Sequence, residues 1–573
     1  MLTTRASRET SLLVLMALLV LGAGLGLRDP WPSDEPRFAL VAKQMVTSGD
    51  WLFPHRGLEL YSDKPPMLMW LQATLYSVIG NWRIAFLLPS MLAALGTLWC
   101  VHDLGRRLWT RRVGLYAAWL LLFALHFTFQ SKKAQIDPLI VFFITLANYG
   151  LIRHLLLGPA WGWWWFGWFA AGLGVITKGV GVVALLMIIP AALASVWGWR
   201  GVGLSVRHWR FWVAPLLFLL AISLWLVPMV VVALSTGSVE YRAYMDDILF
   251  RQTAGRYAQS WDHHQPWWYF LGIMPSMWIP AFLAVPWAIP AWWRRLRRRD
   301  PRYLVLLGWW ALIVLFFSIP DGKRDVYILP SLPMFCLALA PLLPGLLRKR
   351  AFQWLLAAFT AGLALFTLGA GGALLAGQGG LEARLMGSRG IDQAAIASLA
   401  WAAVAMGCWG IVSLLAWGHR RAHLGVVSTL TGVWLLYSLV GYPLLNSASS
   451  ASGLMHAVGQ RIGPDAELGL VGWEGQNLLM ADRPAATFGF QKDWDAQLRD
   501  GVAWQAQAPA RRWLLVQQDA LLPCVDRSRA ELAGISNRRR WWLVPAAAVQ
   551  GSCQLPADAR ERERALQARQ FEE

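Results

Sequence analysis

Apolar runs of roughly 20 residues, each long enough to cross about 30 Å of hydrocarbon as a helix, recur through the first 445 positions of this 573-residue chain. In a bilayer every backbone N–H and C=O needs a partner within the protein, so such runs predict helices and an all-α polytopic membrane protein. Runs at about 10–28, 84–104, 113–130, 138–156, 161–177, 179–198, 211–233, 268–292, 303–319, 327–346, 352–376, 393–417 and 424–444 amount to about thirteen spans. The first follows Arg5 and Arg8 and has no small-residue cleavage site before Arg28 and Asp29, so it reads as an uncleaved span. The composition is 57% hydrophobic and 15% charged, which a soluble domain of this length would not tolerate on its surface.

The net charge of +19 does not make one basic face that would bind nucleic acid. It lies in short clusters in alternate loops: Arg106/Arg107/Arg111/Arg112, Arg200/Arg207/Arg210, Arg294 to Arg299, Arg348/Lys349/Arg350 and Arg420/Arg421. That alternation follows the positive-inside rule, with a cytoplasmic N-terminus and, after an odd number of spans, an external C-terminal part. The 37 tryptophans, including the run Trp161 to Trp165, fit interfacial belts. No internal repeat points to a two-fold transporter. The chain thus divides into a transmembrane domain, 1–445, and a soluble domain, 446–573. The latter alternates strand-like runs (Leu468–Trp473, Trp513–Gln518, Trp541–Pro545) with polar helical stretches, as a small α/β domain would, and ends in a charged, solvated helix from Ala557. Cys100, Cys336 and Cys408 read as packing residues. Cys524 and Cys553 face an oxidising compartment, where pairing is open to them.

Positive charge on the external side is what topology leaves unexplained. Lys64, Lys132, Lys133, Lys178, Arg251, Arg256, Lys323 and Arg324 all lie within a few residues of external span ends. Cations at that depth either snorkel to lipid headgroups or grip a phosphate, and eight together favour an anionic lipid ligand. The external loop 29–82 carries Asp34-Glu35-Pro36-Arg37, Ser48-Gly49-Asp50-Trp51 and Asp63-Lys64-Pro65-Pro66, followed by an apolar stretch, Met67–Gly80, too short to cross and read as interfacial. Asp137 stands at another external span end, where helix capping competes with a site role. His263 and His264 follow Asp246 and Asp247; a divalent cation competes there with an interfacial girdle of His and Trp.

In order along the chain, Asp-Glu-Pro-Arg, Ser-Gly-Asp-Trp, Asp-Lys-Pro-Pro, Thr177-Lys178-Gly179, Gly-Arg-Tyr with His-x-x-x-Trp at 255–268, and Lys323 to Pro330 resemble the GT-C membrane glycosyltransferases. Within them the sequence looks like the lipid A aminoarabinose transferase (ArnT) branch, more distantly related to protein O-mannosyltransferases. The resemblance implies Asp34 as the essential acid of the first loop, with Glu35 beside it and Asp137 as a second acidic position. It implies Lys64, Arg256 and Tyr327 as contacts of the donor phosphate, to which Lys178 and Lys323 are added on charge. Where aminoarabinose transferases carry a Glu-His pair, this chain has Gln252 and Thr253, and Asp63 replaces a common Glu; Asp63, His263 and His264 remain the candidate metal ligands, and no cofactor is required by any motif.

The implied reaction is an inverting transfer of a sugar, 4-amino-4-deoxy-L-arabinose or a relative, from undecaprenyl phosphate to a periplasm-facing acceptor such as lipid A, at a bacterial inner membrane. A protein or polysaccharide acceptor keeps the chemistry. A transporter of the lipid-linked sugar is the reading from another class, although transporters more often place their charges near the midplane. No nucleotide-binding signature is present.

Overall fold

The computed structural model describes residues 5–250, 263–377, 380–551 and 553. It is a helical membrane body joined to a sheet-bearing C-terminal region. Among the described residues eight helices are long and apolar enough to cross a membrane, or ten if two bent pairs each count as one span. The other three expected spans are helical but shorter or less apolar: α1 (Arg5–Gly22), Trp161–Lys178 and the tandem segment Val180–Val196. The chain is therefore a multi-pass membrane protein; eight to ten of the thirteen expected spans meet this test of length and composition among the described residues.

The two bent pairs explain each other. Arg111–Phe123 and Leu125–Ser131 meet at 67°, and Tyr269–Met277 and Ala281–Arg297 at 102°. Backbone groups freed at a break inside a membrane must be paired by protein. Here the Leu125 N–H at the first break donates to the Ile279 carbonyl at the second, 3.0 Å away. Elsewhere small residues let helices approach: Gly105 packs backbone to backbone against Gly114, and Gly150 against Gly167.

The first loop is an ordered layer. Helix α2 (Glu35–Ser48) buries Phe38, Ala39, Val41, Ala42 and Met45 and ends at Gly49, whose φ of 75° is the left-handed cap that glycine adopts without a side-chain penalty. A short hairpin follows, β1 (His55–Arg56) with β2 (Glu59–Leu60), then α3 (Met67–Ile79), the stretch expected to lie in the interface.

Past the last membrane helix the chain forms a five-stranded mixed sheet in the order β4-β3-β5-β7-β6: β3 (Glu467–Val471), β4 (Ala485–Thr487), β5 (Arg512–Gln517), β6 (Glu531–Ser536) and β7 (Arg539–Val544). β3, β5 and β7 match the three expected strands; β4 and β6 are edge strands whose weaker patterns were not read. β3 is parallel to β4 and β5, β7 antiparallel to β5 and β6. Cys524 and Cys553 form a disulfide. Cys100 and Cys336 are buried, as packing residues should be, but Cys408 is exposed.

This region is seated on the first loop. Asn446 donates to Asp29 Oδ2 (2.8 Å) and accepts from the Asp29 and Trp31 N–H groups. The Gln491 N–H donates to Glu59 (2.9 Å), and a Cβ on Gly475 would stand 3.1 Å from Arg37 Cα.

Candidate active site

Asp34 occupies the N-cap of α2, but its carboxylate does not cap the helix. It accepts from Arg37 Nη2 at 2.6 Å, one turn along the same face, and from Gln135 Nε2 at 3.3 Å, with Arg324 Nη2 at 3.7 Å. Arg37 is held in its charged form despite burial, which works against it, by Tyr61, Asp34 and Asp63. Asp63 lies 3.5 Å from Arg37 Nη1, while Lys64 Nζ donates to the Asp63 carbonyl at 2.9 Å. Asp34 is thus oriented by cations and a neutral amide from three segments of the chain.

A second cluster adjoins it. Asp137, in the first turn of Ile136–Leu155, forgoes helix capping and pairs with Lys178 Nζ at 2.5 Å. Lys178 also stands over the Tyr327 ring, 5.3 Å from its centre. Between the clusters sits Lys133, half-buried over Phe129, its pKa lowered by burial and modulated by Glu35, Asp325, Arg324 and Asp137. Asp34, Asp137, Lys178, Tyr327 and Lys64, all expected at the site, come from the first loop, the start and end of two helices and the short charged loop.

Other expected residues do different work. Glu35 is 4% exposed and fully engaged: Arg28 grips it with two hydrogen bonds (2.5 and 2.7 Å), and the Trp31 and Ala134 N–H groups donate at 2.8 Å. Arg28 itself lies among the rings of Trp31, Phe86 and Tyr442 and donates to the Lys132 carbonyl. A carboxylate with this partner set is a strut and not a base, which corrects its placing beside Asp34 as catalytic. Lys323 is corrected likewise: it is 3% exposed, its ammonium is bonded to the Gln265 carbonyl (2.9 Å) and its N–H to the His263 carbonyl, so it ties two loops together instead of facing a phosphate. His264 pairs by backbone with Gly322 in that tie. Among the described residues no three His, Cys, Asp or Glu side chains stand close enough to share a cation, Asp63, His263 and His264 included. Arg256 lies outside the described residues, as does Arg251.

Arg37, Gln135 and Lys133 complete the site. Arg37 was legible from its three-residue spacing after Asp34; Gln135 carried no signal, because only tertiary packing brings its amide to the first loop.

Residues 63–231 match the family described as dolichyl-phosphate-mannose-protein mannosyltransferase. The chain is 30% identical over 382 residues to the undecaprenyl phosphate-alpha-4-amino-4-deoxy-L-arabinose arabinosyl transferase of Pectobacterium carotovorum, covering 62% of this chain and 64% of that one. It is 30% identical over 334 residues to that of Pseudomonas aeruginosa, covering 57% and 58%. The matched part thus spans somewhat less than two thirds of these relatives. The crystal structure of ArnT from Cupriavidus metallidurans bound to undecaprenyl phosphate superposes with a TM-score of 0.70 over 95% of this chain and 99% of that one, at 19% identity. The chain has the fold of that crystal structure. The apo form of the same crystal protein agrees, with a TM-score of 0.69 over 96% and 100% of the two chains. The superposition covers the C-terminal region as well as the membrane body.

Proposed function

We propose that this chain is an inverting glycosyltransferase that moves 4-amino-4-deoxy-L-arabinose, or a closely related sugar, from undecaprenyl phosphate to lipid A. It works on the periplasmic side of a bacterial inner membrane, with thirteen crossings and a soluble domain, 446–573, outside. The single observation that carries this is the convergence of Asp34, held by Arg37, Gln135 and Arg324, with the Asp137–Lys178 pair at one mouth of the helical body. The relatives' names supply the donor and sugar.

In the transfer the bond between the anomeric carbon and the bridging phosphate oxygen breaks, and its electron pair leaves with undecaprenyl phosphate. Lys178, Lys64, Arg324 and Arg256 stabilise the charge that grows there, and Tyr327 positions the Lys178 ammonium. The acceptor oxygen attacks from the opposite face and the sugar inverts. If the acceptor is a hydroxyl, Asp34 takes its proton; a phosphate acceptor, with a second pKa of about 6, is already ionised, and Asp34 then orients it and steadies positive charge on the sugar.

Purified protein with the undecaprenyl-phosphate-linked sugar and lipid A tests this. Asp34→Asn is expected to lower transfer about a hundredfold or more with an unchanged melting temperature. Activity at the wild-type level removes Asp34 from the chemistry, and no product with any lipid A removes the acceptor.

A further inference from the structure

Among the described residues, a cluster of buried polar groups without partners lies where the C-terminal sheet region meets the first loop, beside Arg37. Arg56, in the β1–β2 hairpin, is only 8% exposed, yet among the described residues no carboxylate stands within ion-pair distance of it. Its guanidinium lies over the Phe490 ring at 3.4 Å, with the Trp473 ring at 5.9 Å, and its Nε has no hydrogen-bond partner. Burial, and then the neighbouring Arg37 charge, push it down to about 10, against the pull of Tyr61, Asp63 and Glu474. Glu474 is already paired with Arg539 (3.0 Å), and Asp63 with Arg37. Nearby, the Tyr61 hydroxyl and Arg37 Nε are buried without partners, and on the turn whose Gly475 presses on Arg37 the Gln476 amide, 1% exposed, has neither its oxygen nor its nitrogen satisfied. Buried guanidinium, hydroxyl and amide groups left unmatched are costly, and one anion satisfies several of them at once.

We propose that Arg56, with the Tyr61 hydroxyl and the Gln476 amide, holds a phosphoryl group of the acceptor headgroup while Asp34 faces the atom that attacks. The proposal rests on the acceptor reading above. It makes the C-terminal region part of the acceptor site, through Trp473, Gln476 and Phe490, and separates acceptor from donor: the donor cations Lys178 and Arg324 stand on the far side of Asp34.

Full-length protein in nanodiscs, assayed with the undecaprenyl-phosphate-linked sugar and varied bis-phosphorylated lipid A, separates the possibilities. Arg56→Gln and Arg56→Lys are expected to raise the lipid A KM about tenfold or more while the donor KM moves less than about twofold, the lysine falling short because it lacks the planar fork. Mono-phosphorylated lipid A narrows the gap between wild type and variant. Inorganic phosphate is expected to compete with lipid A in the wild type and not in Arg56→Gln. An unchanged lipid A KM in Arg56→Lys, as a mere stacking strut would give, overturns the proposal, as does an equal rise in donor KM. Should Arg56→Gln fail to fold, Arg56→Lys and Tyr61→Phe carry the same test. If the wild type modifies no lipid A, phosphate still decides: a rise in melting temperature with millimolar phosphate that Arg56→Lys loses supports the anion site while the lipid A reading falls, and its absence in the wild type overturns both.

Discussion

The Arg28–Glu35 pair sits beside the Asp34 carboxylate, and its partner set gives it a structural role. Every Glu35 oxygen is filled, by a guanidinium and by N–H groups from two segments, and Arg28 ties the first loop to the Lys132 carbonyl and the Tyr442 ring. Removing one charge leaves the other buried and uncompensated, so Glu35→Ala is expected to cost about 3 to 5 kcal/mol, read as a large fall in melting temperature in detergent. Asp34→Asn, whose side chain is partly exposed, is expected to leave that temperature unchanged. Lys132 offers a pH test at the same scale. Burial, then the Arg28 charge, push its pKa down to about 7, and its ammonium bonds the Ala23 carbonyl at 2.9 Å. Below about pH 7 it is charged both folded and unfolded; between there and the ordinary lysine value only the unfolded chain keeps the proton. Stability should therefore rise with pH across that window, by at most about 1.4 kcal/mol per unit from this group, and Lys132→Met should flatten the rise in melting temperature.

Among the elements, α2 carries most of the organisation. Its Pro36 at the first turn and Gly49 at the end delimit it, its apolar face is buried, and its N-terminus holds Asp34 and Glu35, whose negative charge suits the positive end of the helix dipole. Its outer face is covered by the Gly475–Leu479 turn, where Lys43 Nζ reaches the Leu479 carbonyl at 3.5 Å. A Cβ at Gly475 would already press on Arg37 backbone, which has little freedom to yield, so Gly475→Val is expected to lift the turn from α2. The measurement is limited proteolysis: faster cleavage after residue 450, with loss of transfer, against an unaltered digestion pattern if the contact is dispensable. The motif Asp-Glu-Pro-Arg was legible in the sequence as a functional stretch, but the division of labour between its two carboxylates was not. Adjacent residues on a helix point in different directions, and only the packing of Arg28 and Ala134 on one side and Arg37 and Gln135 on the other separates strut from site.

In the whole molecule, the two broken spans lock at their breaks, and the sheet region closes over the first loop. The hydrogen bond from Leu125 to Ile279 pairs backbone that no lipid could satisfy. The proposed orientation is open to a direct check: single cysteines replacing Ser62 and Gln491, in a background lacking Cys408, should react with a membrane-impermeant maleimide added to intact spheroplasts, and labelling only after lysis would reverse the topology.

Apolar run length, charge alternation and the order of short motifs were sufficient by themselves for the helical class and for naming Asp34, Asp137, Lys64, Lys178 and Tyr327 as candidates, because bilayer thickness and desolvation cost act on each segment locally. They did not reveal which helices bend, that Lys323 is spent on Gln265, that Glu35 is a strut, or that Arg56 is buried with no carboxylate paired to it among the described residues. Those follow from contacts between residues far apart in the chain, such as Arg37 against Gly475 and Gln135 against Asp34, and such contacts exist only once the helices and the sheet have packed.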